Sequence, residues 1–246
     1  MIDYLIVIPV YKVHERTIKC LNSINDYKHV LLIDNTGVRD CEKLIAKYPG
    51  IRVSFQEENI GVPRAWNIGI DEGHDWTFLV SSSMIFKNGF KPIAAMLEGY
   101  DGPVFRTDHA WHCIGISKKA VETVGRFDEN FYPGYLEDCD WDFRSSLARQ
   151  KEYDNFKIDA TCQVNGGATI DGAYVMIAPL RKYFVEKWGG PELDEKEGEP
   201  WFGVPIIWTR AENIYSKPFN NNDNELSYWE QRSIEDLKEK YGFNNL

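Results

Sequence analysis

Residues 4–9 read YLIVIP and are followed directly by Val10, Tyr11 and Lys12. An almost unbroken apolar run of this length is typical of a strand that is buried on both faces. The run is far too short to span a bilayer and no basic segment precedes it, so it lacks the pattern of a signal peptide. We therefore expect a central strand of a sheet at this position.

The same kind of apolar run recurs at residues 30–34 (VLLID), 51–55 (IRVSF) and 76–80 (WTFLV). Segments with helical spacing separate these runs, and one of them carries Ile18 and Leu21. Strands that alternate with helices predict an α/β fold with a Rossmann-like, mostly parallel sheet flanked by helices. Ligands of such sheets bind beyond the carboxyl ends of the strands, so the residues after each run are candidates for a site.

The rest of the chain predicts further elements of one unit. The expected elements are strands at residues 104–105 and 114–116 and helices at 117–124 (capped by Ser117), about 136–149 and 179–188. No linker divides the chain convincingly, so we expect one domain over residues 1–190. A C-terminal extension over 191–246, with a wrapping tail and a final helix, is expected to pack on the same domain.

Composition excludes several classes of function. The formal net charge is -10 and no basic run occurs, which disfavours a nucleic-acid partner. The five cysteines are scattered without CxxC spacing, so neither a disulfide framework nor a zinc site is indicated, and a cytoplasmic location is expected. No membrane span is apparent in the sequence.

An ordered series of motifs resembles the inverting family 2 glycosyltransferases with the GT-A fold. The series is IPVYK, LIDNTG, ENIGVPRAWNIGI, FDENFYPGYLEDCDWDFR and YFVEKWGG, and the resemblance covers about residues 2–190. It implies a GT-A catalytic domain and a hexosyltransferase-type reaction with inversion. The donor would be a nucleoside diphosphate sugar (UDP-, dTDP- or GDP-sugar), and the acceptor a hydroxyl of a glycan, a glycoconjugate or another molecule.

On the donor side, the resemblance makes the residues after the first two strands contacts to the nucleotide. These residues are Pro9, Val10, Tyr11, Asp34 and Asn35. A carboxylate accepts charge-assisted hydrogen bonds, which suits a base imide or a ribose hydroxyl. The alternative is that residues 34–37 (DNTG) only form a turn, for which their composition is well suited.

The segment ENIGVPRAWNIGI predicts a turn that leads into a helix, and a helix N-terminus favours an anion such as a diphosphate. Gly61 would allow close backbone approach and Asn59 would cap the helix. Arg64 and Asn67 fall on its first two turns as further donor-side candidates. The alternative is a surface arginine and a packing asparagine.

The sequence departs from the family where a divalent cation is expected. Ser81 and Ser83 stand in place of an Asp-x-Asp, and Asn165 stands where a histidine is common. Serine hydroxyls are poor ligands for Mg²⁺ or Mn²⁺ without accompanying carboxylates, so a divalent cation is doubtful. Of three explanations, a metal-independent mechanism is favoured; the others are unrecognised ligands and a degenerate, inactive domain.

Each explanation of the missing carboxylates names its own residues. Metal independence would use cationic side chains to offset the diphosphate, and the candidates are Arg64, Arg181 and Lys182. Unrecognised metal ligands would lie near Asp108, His109 and His112.

On the acceptor side, LEDCDWDFR resembles the acidic segment of the family at the start of a helix. The resemblance makes Asp138 the base that removes the acceptor proton, with Glu137 and Asp140 beside it. The alternative is that acidic residues only complement the helix dipole and that Asp140 pairs with Arg144.

His112, Tyr135 and Trp141 complete the acceptor-side candidates. A core position for Trp141 and a structural role for His112 remain the alternatives.

Two other classes of function remain open from the sequence. A non-catalytic nucleotide-sugar or glycan-binding domain would explain the missing Asp-x-Asp, but the acidic segment argues against it. A sugar nucleotidyltransferase would need a Gly-rich, basic loop after the first strand, and IPVYKVHER lacks one.

Overall fold

The computed structural model describes residues 2–147 and 155–163, together with Leu180 and Phe184. Several expectations therefore lie outside the described residues. They are the turn at 164–167 with Asn165, the helix at 179–188 as a whole, the cations Arg181 and Lys182, and the extension over 191–246.

The strands of the described residues are β1 Tyr4–Val10, β2 Val30–Asp34, β3 Arg52–Phe55, β4 Trp76–Val80, β5 Met84–Phe86, β6 Val104–Thr107, β7 Cys113–Ser117, β8 Asn155–Phe156 and β9 Ala160–Cys162. The α-helices are α1 Glu15–Ile24, α2 Glu42–Lys47, α3 Val62–Ile70, α4 Lys91–Ala95, α5 Lys118–Val124 and α6 Glu137–Leu147. Short 3-10 turns lie at Tyr27–His29 and Ala110–His112. In the described residues, no helix is long and apolar enough to cross a membrane.

The main sheet has seven strands in the order β3-β2-β1-β4-β7-β6-β8. The first four in this order are mutually parallel, as the apolar runs predict. Strand β7 is antiparallel to both β4 and β6, whereas β8 is parallel to β6. The mostly parallel sheet flanked by helices is thus confirmed.

Each face of β1 contributes to a different hydrophobic core. Ile6 and Ile8 pack in one cluster with Leu21 of α1, whereas Leu5 and Val7 lie in another with the buried face of α3. Successive strand side chains point to opposite faces, so a continuous apolar run is required when helices cover both sides of the sheet. Because the four strands are parallel, their carboxyl ends lie at the same edge of the sheet.

A second, two-stranded sheet pairs β5 with β9 in antiparallel fashion. It places residues 160–162 next to the segment that follows β4. Gln163 then donates from its backbone nitrogen to the carbonyl oxygen of Ser83 at 2.9 Å. This small sheet closes one side of the edge at which β1, β2 and β4 end.

Candidate active site

A cleft of about 280 Å³ opens at the carboxyl ends of β1, β2 and β4. Its wall combines residues from the ends of these strands with the start of α1, the segment before α3, the turn before β7 and the start of α6. The described residues that line it are Pro9, Tyr11, Lys12, His14, Arg16, Asn35, Asn59, Val62, Trp66, Val80, Ser81, Ser82, Ser83, Trp111, His112, Pro133, Gly134, Tyr135, Glu137 and Asp138.

The cleft brings together most of the residues that the sequence singles out. Those that line it are Pro9, Tyr11, Asn35, Asn59, Ser81, Ser83, His112, Tyr135, Glu137 and Asp138. They come from the two halves of the chain, so donor-side and acceptor-side candidates share one cavity.

Asp34 takes part in a turn and does not line the cleft. The residue is 0% exposed. Its Oδ1 accepts from the backbone nitrogen and hydroxyl of Thr36 at 3.0 and 2.5 Å, and its Oδ2 accepts from the backbone nitrogen of Cys41 at 2.8 Å. These contacts match the turn alternative, and they leave Asn35, rather than Asp34, facing the cavity. Val10, which the resemblance also makes a nucleotide contact, is buried in the hydrophobic core.

Gly61 lets the start of α3 approach the loop that precedes α6. Its φ is +78°, and a Cβ atom there would lie 2.9 Å from the ring of Tyr132. The backbone nitrogen of Val62 donates to the carbonyl oxygen of Pro133 at 2.8 Å. Gly61 itself is the N-cap of α3, and Asn59 accepts from the Gly61 nitrogen at 3.0 Å instead of capping the helix. Gly61 therefore allows the backbone at the start of α3 to approach the backbone of the loop at Pro133.

Arg64 and Asn67 face a buried carboxylate and not the cleft. Asn67 donates to Glu129 at 2.8 Å and exchanges hydrogen bonds with the backbone of Phe127. The Nε atom of Arg64 lies 3.9 Å from Oε2 of Glu129. Burial raises the pKa of the Glu129 carboxyl, and Asn67 and Arg64 oppose that shift. These contacts fit the packing alternative for both residues.

Asp140 and Trp141 lie inside the protein. Asp140 is 0% exposed and accepts from Nε of Arg144 at 2.9 Å, as the ion-pair alternative states. Trp141 is fully buried, and its indole nitrogen donates to the carbonyl oxygen of Gly125 at 3.0 Å. The structure therefore does not place either residue where an acceptor could touch it. Both serve to dock α6 on the segment around α5.

The carboxylates of Glu137 and Asp138 stand at the start of α6, on a backbone that is held in an unusual conformation. Tyr135 and Leu136 have φ values of 85° and 67°, in the left-handed region that side chains disfavour. Such conformations persist only where surrounding contacts enforce them. The backbone here turns sharply and delivers two adjacent carboxylates to the cleft.

Burial raises the pKa of both carboxyl groups. Glu137 shifts well upward because burial and the charge of Asp138 disfavour its ionised form. The pKa of Asp138 is raised mainly by burial, although hydrogen bonds from the backbone around Cys139 oppose the shift. Burial lowers the pKa of His112, and the charge of His109 adds to that effect, so the imidazole is neutral at pH 7. The two carboxyl groups at the acidic end of the cleft therefore have higher pKa values than carboxyl groups that are exposed to water.

Three buried polar atoms of the cleft wall lack a hydrogen-bond partner among the described residues. They are Oδ1 of Asn35, Nε1 of Trp66 and Oε2 of Glu137. A buried polar group without a partner costs on the order of 1–3 kcal/mol. Groups of this kind gathered around one cavity indicate a polar ligand that supplies the missing partners.

The residues after β4 do not fit a divalent cation. The hydroxyl of Ser81 accepts from the backbone nitrogen of Ser83 at 3.2 Å, which is a turn contact. Oδ1 of Asp108 accepts from the backbone nitrogen of Ile158, and Nε2 of His109 lies in hydrogen-bond contact with the carbonyl oxygen of Ala160. These two candidate metal ligands therefore contact the segment from β8 to β9. Across residues 2–147 and 155–163, no three histidine, cysteine, aspartate or glutamate side chains are placed to hold a metal ion.

Sequence reasoning missed several residues of the wall. Lys12 and Arg16 introduce positive charge, His14 adds an imidazole, and Trp66 and Trp111 stack at 6.0 Å between ring centroids. Lys12 ends the IPVYK motif and Trp66 lies inside ENIGVPRAWNIGI, so the motifs contained a signal. No motif in the sequence marked Arg16, because it lies on α1, and the distance of that helix from the cavity depends on the fold.

A mostly parallel sheet flanked by helices is the architecture of the GT-A fold. Comparison with solved structures shows that fold for this chain. In agreement, residues 5–75 match the model of the family described as Glycosyl transferase family 2. No curated protein matches the sequence.

Two solved structures illustrate the likeness. TarS 1-349 of S. aureus, in complex with UDP, is 14% identical with a TM-score of 0.51, over 80% of this chain and 68% of that one. The mannosyltransferase PcManGT from Pyrobaculum calidifontis, in complex with GDP-Man and Mn²⁺, is 10% identical with a TM-score of 0.54, over 78% and 66%. The chain spans 41% of a longer TarS structure.

Proposed function

We propose that this protein is a glycosyltransferase that moves a sugar from a nucleoside diphosphate sugar to an acceptor hydroxyl with inversion. The observation that carries the proposal is one cleft that contains both Asn35, after β2, and the Glu137–Asp138 pair at the start of α6. The first position suits a nucleotide and the second suits a reacting hydroxyl. The match of residues 5–75 to a glycosyl transferase model supports the same class of reaction.

The donor side of the cleft offers a ring and an amide to a nucleotide. Tyr11 is 43% exposed, so part of its ring is available for stacking on a base. Oδ1 of Asn35 accepts no hydrogen bond from the residues that the structure describes, while its Nδ2 donates to the carbonyl oxygen of Gly61 at 3.2 Å. An imide N–H of a base would satisfy that acceptor. The structures of TarS with UDP and of PcManGT with GDP-Man support a nucleotide-sugar donor for this chain.

Asp138 acts as the general base. It accepts the proton of the acceptor hydroxyl while that oxygen forms a bond to the anomeric carbon. The bond from that carbon to the diphosphate breaks on the opposite face, so the configuration inverts and the nucleoside diphosphate leaves with the electron pair. A raised pKa makes Asp138 a stronger base than an exposed aspartate. Neutral His112 and Tyr135 line the same end and bind the acceptor.

Transfer is proposed to be independent of a divalent cation. The turn after β4 offers hydroxyls in place of carboxylates, that of Ser81 accepts from the backbone nitrogen of Ser83, and hydroxyls alone bind Mg²⁺ and Mn²⁺ weakly. Protein cations therefore offset the charge of the leaving diphosphate.

Replacement of Asp138 by asparagine tests the proposal. Asp138→Asn should lower the rate of sugar transfer about 10²–10⁴-fold, the usual contribution of a positioned base. Because asparagine keeps the size of the side chain, binding of the nucleoside diphosphate should stay unchanged in calorimetry. Wild-type transfer should proceed in excess EDTA without stimulation by Mn²⁺.

Each arm of this experiment has a contradicting outcome. An unimpaired Asp138→Asn variant would remove Asp138 from the reaction. Loss of wild-type transfer in EDTA, restored by Mn²⁺, would overturn metal independence. Nucleotide-sugar binding with no transfer or hydrolysis across a broad acceptor panel would favour the non-catalytic binding domain instead.

A further inference from the structure

Seven arginines lie among the described residues, and six of them are within 4.0 Å of a carboxylate. The pairs are Arg39–Glu42, Arg52–Glu72, Arg64–Glu129, Arg106–Asp142, Arg126–Asp71 and Arg144–Asp140. The seventh, Arg16, has no carboxylate partner within the described part of the chain, and it lines the cleft. Within the described part of the chain, Arg16 is thus the arginine whose charge no carboxylate offsets, and it lies at the cavity.

Arg16 is held in place through its backbone, and no ion pair of its guanidinium with the described residues competes with a ligand. The side-chain nitrogen of Gln163 donates to the carbonyl oxygens of both Arg16 and Ser83, each at 3.3 Å. On the same helix, Sγ of Cys20 lies 3.8 Å from the carbonyl oxygen of Ser81. The first turns of α1 are therefore fixed beside the turn after β4.

The neighbourhood of Arg16 within the cleft contains hydroxyls and a second cation. The adjacent turn carries Ser81, Ser82 and Ser83, none of which can neutralise a guanidinium. Lys12 also lines the cleft, and its Nζ lies 5.5 Å from the ring centroid of Tyr11. Among the described residues that line the cavity, only Glu137 and Asp138 are acidic, and they belong to α6. One end of the cleft is thus cationic and the other acidic.

We propose that Arg16 and Lys12 form the binding site for the diphosphate of the donor and take up the negative charge that develops as it leaves. This inference rests on the proposed function, because that function supplies the diphosphate. A guanidinium presents planar N–H donors that match phosphate oxygens in pairs, and lysine adds a point charge. Because Nζ of Lys12 lies 5.5 Å from the ring centroid of Tyr11, the proposed base contact, Lys12 is assigned to the phosphate nearest the nucleoside. Of the three cations that the sequence offers for this role, Arg64 faces Glu129, and Arg181 and Lys182 lie outside the described residues.

Calorimetry of Arg16→Gln in excess EDTA tests the site. The probes are UDP, GDP, uridine, guanosine and inorganic pyrophosphate. The variant loses charge-assisted hydrogen bonds to the phosphates, so it should bind the preferred nucleoside diphosphate at least about tenfold more weakly. Its affinity for the matching nucleoside should not change. The matched control is Arg52→Gln. Arg52 lies on β3, is exposed and pairs with Glu72, so this variant should bind all probes like wild type.

The outcomes separate this inference from the proposed function. Wild-type affinity of Arg16→Gln for the diphosphate, or an equal loss for the nucleoside, would overturn the site and leave the glycosyltransferase proposal standing. Binding of pyrophosphate that depends on Arg16, without binding of either nucleotide, would keep the anion site and reject the proposed donor. If wild type bound none of the probes, both proposals would fall.

Discussion

At the scale of single residues, Glu137 is the most constrained group of the cleft. Its side chain is 6% exposed, and its Oε2 has no partner among the described residues. Asp138 beside it carries a second carboxylate. A buried carboxylate oxygen without a partner destabilises the fold, and such a cost is typical of groups that serve a functional site.

Glu137→Gln should therefore stabilise the protein at alkaline pH. The folded-state pKa of Glu137 lies above its unfolded value of about 4.3, so the folded protein holds this proton more tightly. The stability linked to it is complete below the unfolded value and is lost as pH rises through the folded pKa. The variant cannot ionise, so urea denaturation should find it about 1–3 kcal/mol more stable than wild type at pH 8.

The same comparison at pH 5 should show a smaller gain. Glu122→Gln, on the exposed face of α5, is the control and should change stability by less than about 0.5 kcal/mol at either pH. A Glu137→Gln variant whose stability relative to wild type did not depend on pH would contradict the buried, proton-binding state of Glu137.

At the scale of elements, the position of α3 depends on one glycine. Gly69 lies on the helix face that covers β1, and a Cβ atom there would be 2.1 Å from Cγ2 of Val7. Valine has a stiff side chain and cannot turn away without strain. The absence of a side chain at Gly69 lets α3 pack directly on the strand, and α3 carries Val62 and Trp66 into the cleft wall.

Gly69→Ala should destabilise the fold by about 1–3 kcal/mol, the usual cost of overpacking a core. The effect should be seen as a lower midpoint of urea unfolding. Because the clash is with Val7, the double variant Val7→Ala/Gly69→Ala should lose less stability than the sum of the two single changes. Strict additivity would show that α3 does not contact β1 through this pair.

At the scale of the whole molecule, an acidic protein contains a cleft with a cationic end. The formal net charge is -10, yet Lys12 and Arg16 both line one cavity. A local patch of opposite sign attracts an anion that the remainder of the surface repels. The cleft also joins residues from β1, β2 and β4 to α6, so a ligand there would tie the two halves of the described fold together.

Binding of the right nucleotide should therefore stabilise the whole molecule. At about a hundred times Kd, a ligand adds about 2.7 kcal/mol to the free energy of unfolding, which raises Tm by several degrees in a chain of this size. A thermal-shift screen of UDP, dTDP and GDP should find such an increase, equal in EDTA and in Mn²⁺. The matching nucleosides should give smaller increases, and an absence of any shift would contradict a nucleotide site.

Much of the fold could be predicted from the sequence. The bounds of β2 and β4 match the apolar runs residue for residue, and the hydroxyl of Ser117 accepts from the nitrogen of Ala120 at the start of α5 as predicted. Such features depend on neighbouring residues in the chain, whose spacing and capping chemistry are visible in the sequence. The pairing of β5 with β9 was missed because three-residue strands have no period to detect.

The sequence by itself determined the parallel strands, the edge of the sheet at which a site lies, and the acidic pair that begins α6. Only the tertiary structure decided which side chains face that edge. In the structure, Asp34 accepts hydrogen bonds within its own turn, Arg64 pairs with Glu129, and Asp140 pairs with Arg144. Arg16 lines the cleft. The reason is physical: periodicity depends on near neighbours, whereas the partner of a charge depends on which distant segments pack against it.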